Sequence, residues 1–507
     1  MQRSALLRTP GHGRISLVSA FLALACLLLQ ASCAHQTPSN NFDLVLTGGR
    51  VIDPESGLDA IRNIGVRDRS IVAVTSAPIT GRMTINVSGL VVAPGFIDLH
   101  SHSPTPFGVR QQLLDGVTTQ LDLEAGAFPV SAYGEYFEEG APVNFGASVS
   151  HLAVRAKVLT GKDVPYLFSR NGTQPAPEAL TKPASASEIE AMRALLDEGI
   201  KSGGIGIGVL LDYISIAVSP AELKMVFEVA GRRGVPVTVH VRRGLPGDPA
   251  GLEEVIALAE ATKAPLLICH IAHSAMQGVG DWLAKIDAAN ARGARITTET
   301  LTYAAGGTAI SAAVFGRDWQ SIFNITYKDV QWTATGEWLT EETFRRFRHE
   351  QPGGMINHHY VKEEWIRTAL RWPNMMVVSD ATPAFEKKTL GNPNLSGTFS
   401  RLLGRYTRDE AVLSLSDAIA RTSLHQARWL ESSTPAFKRK GRVRVGMDAD
   451  LVVFHPKLVA DNATYGKPFE QPAGIQYVFV GGKPAVFDGH LQEPGAAGSR
   501  LVTIMEN

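Results

Sequence analysis

Short apolar runs recur along the chain, separated by longer stretches whose apolar residues fall at helical spacing. VSGLVVAPGFIDL, VTTQLDLEAG, VNFGASVSH, GGIGIGVLL, VPVTVHVR, APLLICHIAH, ARITTETLTY and MMVVSD are of the first kind. Their Val, Ile and Leu content reads as strands buried on both faces. Among the second kind, SASEIEAMRALLDEGIKSG opens on Ser185 with Glu188 behind it, a capped helix start. SPAELKMVFEVAGRRG stops at Gly234, and GDWLAKIDAANARG and SLSDAIARTSLHQARWL repeat the helical spacing. Repeated strand–helix units predict an α/β fold, a (β/α)8 TIM-type barrel over residues 94–435. A doubly wound open sheet is the second option. No glycine-rich dinucleotide fingerprint follows the first strand, and the glycines of GGIGIG lead into LLDY rather than a helix.

The two ends of the chain carry a different pattern. FDLVLTGGRVIDPESG and IRNIGVRDRSIVAVTS alternate and are broken by Gly-Gly and Asp-Pro, as hairpins are. ADLVVFHP, IQYVFVGGKPAVFDG and RLVTIM echo them at the other end. Residues 41–93 and 436–507 are therefore expected to build one small β-sandwich together. Ahead of both lies a leader of residues 1–33: Arg3, Arg8 and Arg14, an apolar core over 15–29, then Gln30-Ala31-Ser32-Cys33. The core is short for a membrane span and fits a secretory signal. Small residues before a cysteine resemble a bacterial lipoprotein cleavage site. The expectation is export, either to the periplasm or as a lipoprotein anchored to the membrane through a lipidated Cys33.

Composition narrows the function. Hydrophobic residues make up 44% of the chain and charged residues 19%, enough apolar material for a large core. Lys+Arg and Asp+Glu both number 49, so no basic excess points to nucleic acid. Of the three cysteines only Cys269 lies beyond the leader, which excludes an intrachain disulfide in the body.

The candidate chemistry sits where the predicted strands end, the face on which barrels carry their sites. PGFIDLHSH ends in His100 and His102, which share one face because side chains at i and i+2 point the same way. VTTQLDLEAG supplies Asp122 and Glu124, VPVTVH supplies His240 followed by Arg242 and Arg243, LLICHIAH supplies His270 and His273, and MMVVSD supplies Asp380. Imidazoles and carboxylates closing five apolar strands suit one or two divalent cations, Zn2+ first, with Mn2+ or another divalent metal as options. Asp122 and Glu124 share one strand face, and both are open as the carboxylate of such a site.

These stretches, with Asp115-Gly116-Val117-Thr118-Thr119, TYAAG, GTFSRLLGRYTRDEAVLSLSDAIARTS and GRVRVGMDADLVVF, resemble the amidohydrolase superfamily and, within it, the N-acyl-D-amino-acid deacylase branch. The resemblance implies His100 and His102 at a first metal position and His240 and His273 at a second. It implies Asp380 as a metal-side base that takes a proton from the attacking water and passes it to the leaving amine. Matching the branch's Ile-Ser-His element to Ile271-Ala272-His273 leaves His270 as a structural histidine. Tyr303 resembles a tyrosine that donates to the scissile carbonyl oxygen. Tyr213 and His151 are weaker substrate-pocket candidates, and His358-His359 is taken as a loop dipeptide outside the metal site. The chain departs from the branch at Ala125, where a bridging cysteine is usual, and Glu124 beside it is taken as the metal carboxylate, able to bridge two cations through its two oxygens, with Asp122 as the fallback. It departs again at Ala275, where a lysine serves the substrate's carboxylate. Arg242, or its neighbour Arg243, is the expected substitute for that lysine.

The resemblance implies hydrolysis of a small-molecule N-acyl-D-amino acid or D-residue peptide. A cyclic-amide hydrolase or a dipeptidase of the same superfamily is the second reading, weakened because no strand listed above ends in the lysine those enzymes use as a bridge. A non-catalytic surface lipoprotein on a decayed barrel is the third.

Overall fold

The computed structural model describes residues 41–503 apart from 138–139, 171–173, 215–216, 388–390 and 494, and the leader with Cys33 lies outside the described residues. The N-terminal segment forms β1 (Phe42–Asp53), β2 (Leu58–Arg67), β3 (Ser70–Thr75), β4 (Gly81–Asn86) and β5 (Val91–Pro94). β1, β2 and β3 make an antiparallel meander. β1 is irregular between Leu46 and Gly49, where Gly48 takes a left-handed φ of 73°. Before this bulge β1 pairs with β4, and beyond it with β5. A bulge of this kind bends a strand, so one sheet curls around an apolar cluster that includes Leu44, Leu46, Ile64 and Val92.

Gly95 alone separates β5 from the barrel. A β-carbon on it would stand 2.3 Å from the Thr118 hydroxyl, so only glycine lets the chain pass there. Seven parallel strands follow: β6 (Phe96–Asp98), β7 (Val117–Ala127), β8 (Asn144–Ser150), β9 (Ile207–Leu210), β10 (Val237–His240), β11 (Leu266–Ile268) and β12 (Ile296–Thr300). An insertion then forms a separate three-stranded antiparallel sheet from β13 (Gly306–Ala309), β14 (Val330–Trp332) and β15 (Met355–His358). β16 (Met376–Val377) returns to pair with β12. The circle is closed just past these strands, where Asp380 N donates to His100 O at 2.8 Å and His102 N to Ala381 O at 3.0 Å. The helices between strands carry their expected punctuation. Ser185 and Glu188 form a reciprocal capping box on Ala186–Lys201, and Gly234 ends Pro220–Arg233 with a left-handed φ of 65°.

The C-terminal segment adds β17 (Leu451–Phe454), β18 (Ile475–Val480), β19 (Lys483–Phe487) and β20 (His490–Leu491). β17 lies antiparallel to β5, so both chain ends form one nine-stranded sheet. The expected β-sandwich therefore takes the form of one curled, continuous sheet. The last described residues differ from expectation. RLVTIM was assigned to this β unit, but Leu501 N donates to Phe145 O of β8 at 2.7 Å and Thr503 N to Gly203 O at 3.2 Å. Leu501 is buried with Ile97, Leu121 and Ile205, so the tail finds its apolar partners on the barrel. No helix among the described residues is long and apolar enough to cross a membrane.

Leu501→Ala is expected to destabilise the protein by about 2–5 kcal/mol, the range for truncating a buried leucine. Chemical denaturation checks this, with Arg500→Ala, at an exposed neighbour, as the control that stays near wild type.

Candidate metal centre

Five of the predicted residues meet at the barrel mouth. His100 and His102 follow β6 with their Nε2 atoms 3.2 Å apart. Glu124 reaches in from β7. Its Oε2 lies 3.1 Å from His100 Nε2 and 3.3 Å from His102 Nε2, and its Oε1 lies 2.9 Å from His240 Nδ1 and 3.1 Å from His270 Nε2. Each carboxylate oxygen thus faces one pair of imidazoles. Asp380 Oδ1 stands 3.4 and 3.5 Å from the Nε2 atoms of His100 and His102. The ligand-capable atoms fall into three mutually close groups: His100, His102 and Asp380; Glu124, His240 and His270; and His100, Glu124 and Cys269.

The donor set fits divalent cations. Neutral imidazole and carboxylate are the ligands that Zn2+ and Mn2+ take, and the outer nitrogens of the histidines are held as ligating imidazoles usually are. His100 Nδ1 lies 2.5 Å from Glu299 Oε1, His102 Nδ1 lies 2.8 Å from Asp122 Oδ2, and His270 Nδ1 lies 3.1 Å from Ser274 Oγ. Tyr166 donates to Asp122 Oδ2 at 2.9 Å and fixes that carboxylate in turn. Asp122, the fallback ligand, therefore orients His102 and stands behind the ligand set.

Charge in the cluster is mutually supported. Burial opposes a proton on His100, yet Glu124, Asp380 and Glu299 push its pKa well above the ordinary value. Burial opposes one on His102 too, and Asp122, Asp380 and Glu124 reverse the effect. Burial would raise Glu124, but His100, His102 and His240 hold it well below the usual carboxylate range. His270 is pulled down to about 4, chiefly by burial, so it presents a neutral ring.

Four predicted residues are not brought to the cluster. His273 sits on the short helix Ile271–Ala275 that follows His270, and it is His270 that meets Glu124 and His240. The backbone explains the exchange: His270 has a left-handed φ of 34°, which turns its ring into the site beside that of His240. Tyr303 is directed to the C-terminal segment, where its hydroxyl donates to Asp461 Oδ2 at 2.8 Å and Arg401 lies over its ring. His151 is fully buried in the helical layer, with Nε2 3.0 Å from Glu222, which Arg155 also grips. Arg242 pairs with Glu254 at 2.9 Å and donates to Val218 O. Tyr213 does lie at the cluster, its ring 5.3 Å from that of His240 and its hydroxyl 3.0 Å from Thr308 Oγ1 of the insertion. His358 ends β15 rather than lying on a loop, and packs among Phe315, Phe323 and Tyr360. Beyond His270, the sequence reading missed Glu299 and Cys269. Glu299 had a signal, since a lone carboxylate inside the run ARITTETLTY needs a buried partner.

The model of the amidohydrolase family matches residues 83–486. The chain belongs to that family. It is 30% identical over 493 residues to a D-aminoacylase of Alcaligenes xylosoxydans xylosoxydans, an alignment covering 89% of this chain and 95% of that enzyme. Among solved structures it is similar to a D-aminoacylase with a TM-score of 0.75 and 26% identity, covering 91% of this chain and 100% of the other. It is also similar to N-acyl-D-glutamate deacylase from Bordetella bronchiseptica, with a TM-score of 0.73, 25% identity and the same coverage. That structure holds zinc and a phosphonate inhibitor that mimics the tetrahedral intermediate of its reaction.

The carboxylates around His100 and His102 raise both pKa values against the effect of burial, so in this amidohydrolase protons compete with a cation for those nitrogens. A cation taking those nitrogens must expel the protons, so metal affinity falls as pH drops. Calorimetric titration of the metal-free protein with Zn2+ in two buffers of different ionisation enthalpy is expected to report net proton release at pH 7, diminishing as pH rises through the two pKa values.

Proposed function

We propose that the protein is a divalent-metal-dependent hydrolase that cleaves the amide bond of N-acyl-D-amino acids or related D-residue peptides. The observation that carries the reading is Glu124, set between two imidazole pairs with Asp380 beside one of them. His100, His102 and Asp380 would hold one cation and His240 and His270 a second, with Glu124 shared. A cation there lowers the pKa of water towards neutrality and polarises an amide carbonyl. The D-aminoacylase relative, aligned over nearly the whole chain, supports the substrate class. Because Glu124 fills the bridging position, a carboxylated lysine has no place, which disfavours the cyclic-amide and dipeptidase readings.

The protein's own proton carrier is Asp380. Burial would raise its pKa, but His100, His102 and His270 hold it below the ordinary carboxylate value, so it is ionised at neutral pH. Its side chain is 22% exposed, the most open of the cluster's carboxylates. It accepts a proton from the attacking water and returns it to the amide nitrogen, which leaves readily only when protonated. Tyr213, kept protonated by burial, replaces Tyr303 as the phenol beside the reacting carbonyl.

Asp380→Asn is expected to retain most of its metal and lose about 10²–10⁴-fold in turnover, the usual worth of a general base. Metal analysis beside initial rates checks this, and near-wild-type rates would remove the role. A screen of N-acyl-D- and N-acyl-L-amino acids, dipeptides and cyclic amides with Zn2+- or Mn2+-loaded protein tests the substrate class; turnover confined to L-substrates or cyclic amides overturns it.

The leader supports export and an acyl anchor on Cys33. Cys33→Ser is expected to move the protein from the membrane fraction to the soluble one, and an unchanged distribution would remove the anchor.

A further inference from the structure

The barrel interior beside the metal centre holds a sulfur that the apolar core does not use. Cys269 follows β11, is fully buried and is a free thiol. Its backbone is fixed, since Cys269 N donates to Val239 O of β10 at 3.0 Å. Alternation along the strand puts its side chain on the face of Leu267, which packs inside the barrel with Leu121, Leu123 and Leu301. Buried cysteines commonly serve as small apolar side chains. Cys269 joins none of the apolar clusters among the described residues, although Leu267, Ile268 and Ile271 around it do.

Polar atoms meet the thiol instead. Its Sγ, a ring nitrogen of His100 and a carboxylate oxygen of Glu124 all lie within 4.8 Å of one another. His100 follows β6 and Glu124 lies on β7, so three separate strands converge on this spot. Glu299, on the neighbouring strand β12, points to the same place. It is fully buried, its Oε1 meets His100 Nδ1 at 2.5 Å, and its Oε2 has no hydrogen-bond partner among the described residues. Glu299 and Glu124 are the carboxylates whose charge reaches the Cys269 thiol. A buried polar atom without a partner marks an unmade interaction, and a thiol, with one weak proton to donate, does not satisfy two carboxylates. A divalent cation does. It binds the sulfur as thiolate, the thiol proton passes to solvent, and the buried negative charge is compensated. Thiolate, imidazole and carboxylate together are a donor set that Zn2+ takes.

We propose that Cys269 is a sulfur ligand of the cation that His100 and Glu124 hold, supplied from the end of β11. The proposal deepens the metal-dependent reading and rests on it in requiring a cation at Glu124, but it does not depend on which amide is cleaved. A sulfur ligand also makes that position favour Zn2+ over Mn2+.

The test uses the full chain carrying Cys26→Ser and Cys33→Ser, which leaves Cys269 as its one cysteine, stripped of metal and reloaded with Co2+ or Zn2+. Cobalt loading is expected to give an intense near-ultraviolet sulfur-to-cobalt charge-transfer band beside the weaker visible bands of the ion. Cys269→Ala in the same background is expected to lose the first and keep the second, with a reduced preference for Zn2+ over Mn2+ in competition. X-ray absorption of the Zn2+-loaded protein, which needs no variant at position 269 to fold, is expected to show a sulfur neighbour at about 2.3 Å. Visible cobalt bands without the charge-transfer band, or zinc with nitrogen and oxygen neighbours alone, overturn the sulfur ligand and leave the metal centre standing. A charge-transfer band that persists in Cys269→Ala overturns it as well. Failure to retain either metal overturns the metal-centre reading and the sulfur ligand with it.

Discussion

Glu124 is a buried carboxylate surrounded by four imidazoles, and the rest of the site is arranged around that fact. Moving a carboxylate out of water costs several kcal/mol unless opposite charge and hydrogen bonds compensate. Here each oxygen meets one histidine pair at 2.9 to 3.3 Å. The pairs come from β6 on one side of β7 and from β10 and β11 on the other, so no single hairpin or helix can build the arrangement. It requires a closed barrel whose strands end at one level. The two imidazoles of the first pair are backed in turn by Glu299 and Asp122, and the carboxylates around them favour their charged form.

Closure of the barrel and placement of Asp380 are one event. The hydrogen bond from Asp380 N to His100 O joins the chain beyond the last strand to the chain beyond the first, and it links two members of the cluster. Asp380 adopts φ of 48° and His270 φ of 34°, a region that costs a non-glycine residue roughly 1–3 kcal/mol. A dense network beneath Asp380 offsets that cost. Ser379 N donates to Asp98 Oδ1 at 3.1 Å, Gln112 Nε2 to Asp98 Oδ2 at 2.6 Å, and Asn394 Nδ2 to Ser379 O at 2.7 Å. Burial raises Asp98 to about 6, so this anchor is itself sensitive to its surroundings. In both Asp380 and His270 the side chain leaves the strand direction to reach the cluster.

That strain also marks the limit of what the sequence made legible. Period-two alternation placed His100 with His102 and Glu124 with Asp122, and it held there although β6 ends at Asp98 and the pairing of β7 shifts beyond Asp122. It failed at His270. In a regular strand two consecutive side chains point to opposite faces, yet Cys269 and His270 both reach the cluster. The left-handed residue that permits this leaves no mark in the residue pattern. β10 ends at His240 and alternation ends with it, so the pattern does not foretell that Arg242 turns to Glu254 and Arg243 to Asp212. Tyr303 and His151 were misplaced by contacts far off in sequence. Asp461 holds the Tyr303 hydroxyl, and Glu222 with Arg155 holds His151. The overall fold was more legible because repeated strand–helix units and the two β-rich ends are local patterns. The exception is the tail at Leu501, whose partner strand lies more than three hundred residues away.

Asp212 links the two halves of the site. It stands behind His240 on the metal side and beside Arg243 and Arg317 on the other, so one negative charge serves three positively polarised groups. Low local dielectric makes each of these interactions larger than it would be in water. The position of the His240 imidazole and of both guanidiniums therefore rests on one buried carboxylate, which the Arg243 backbone N–H holds in place at 3.1 Å.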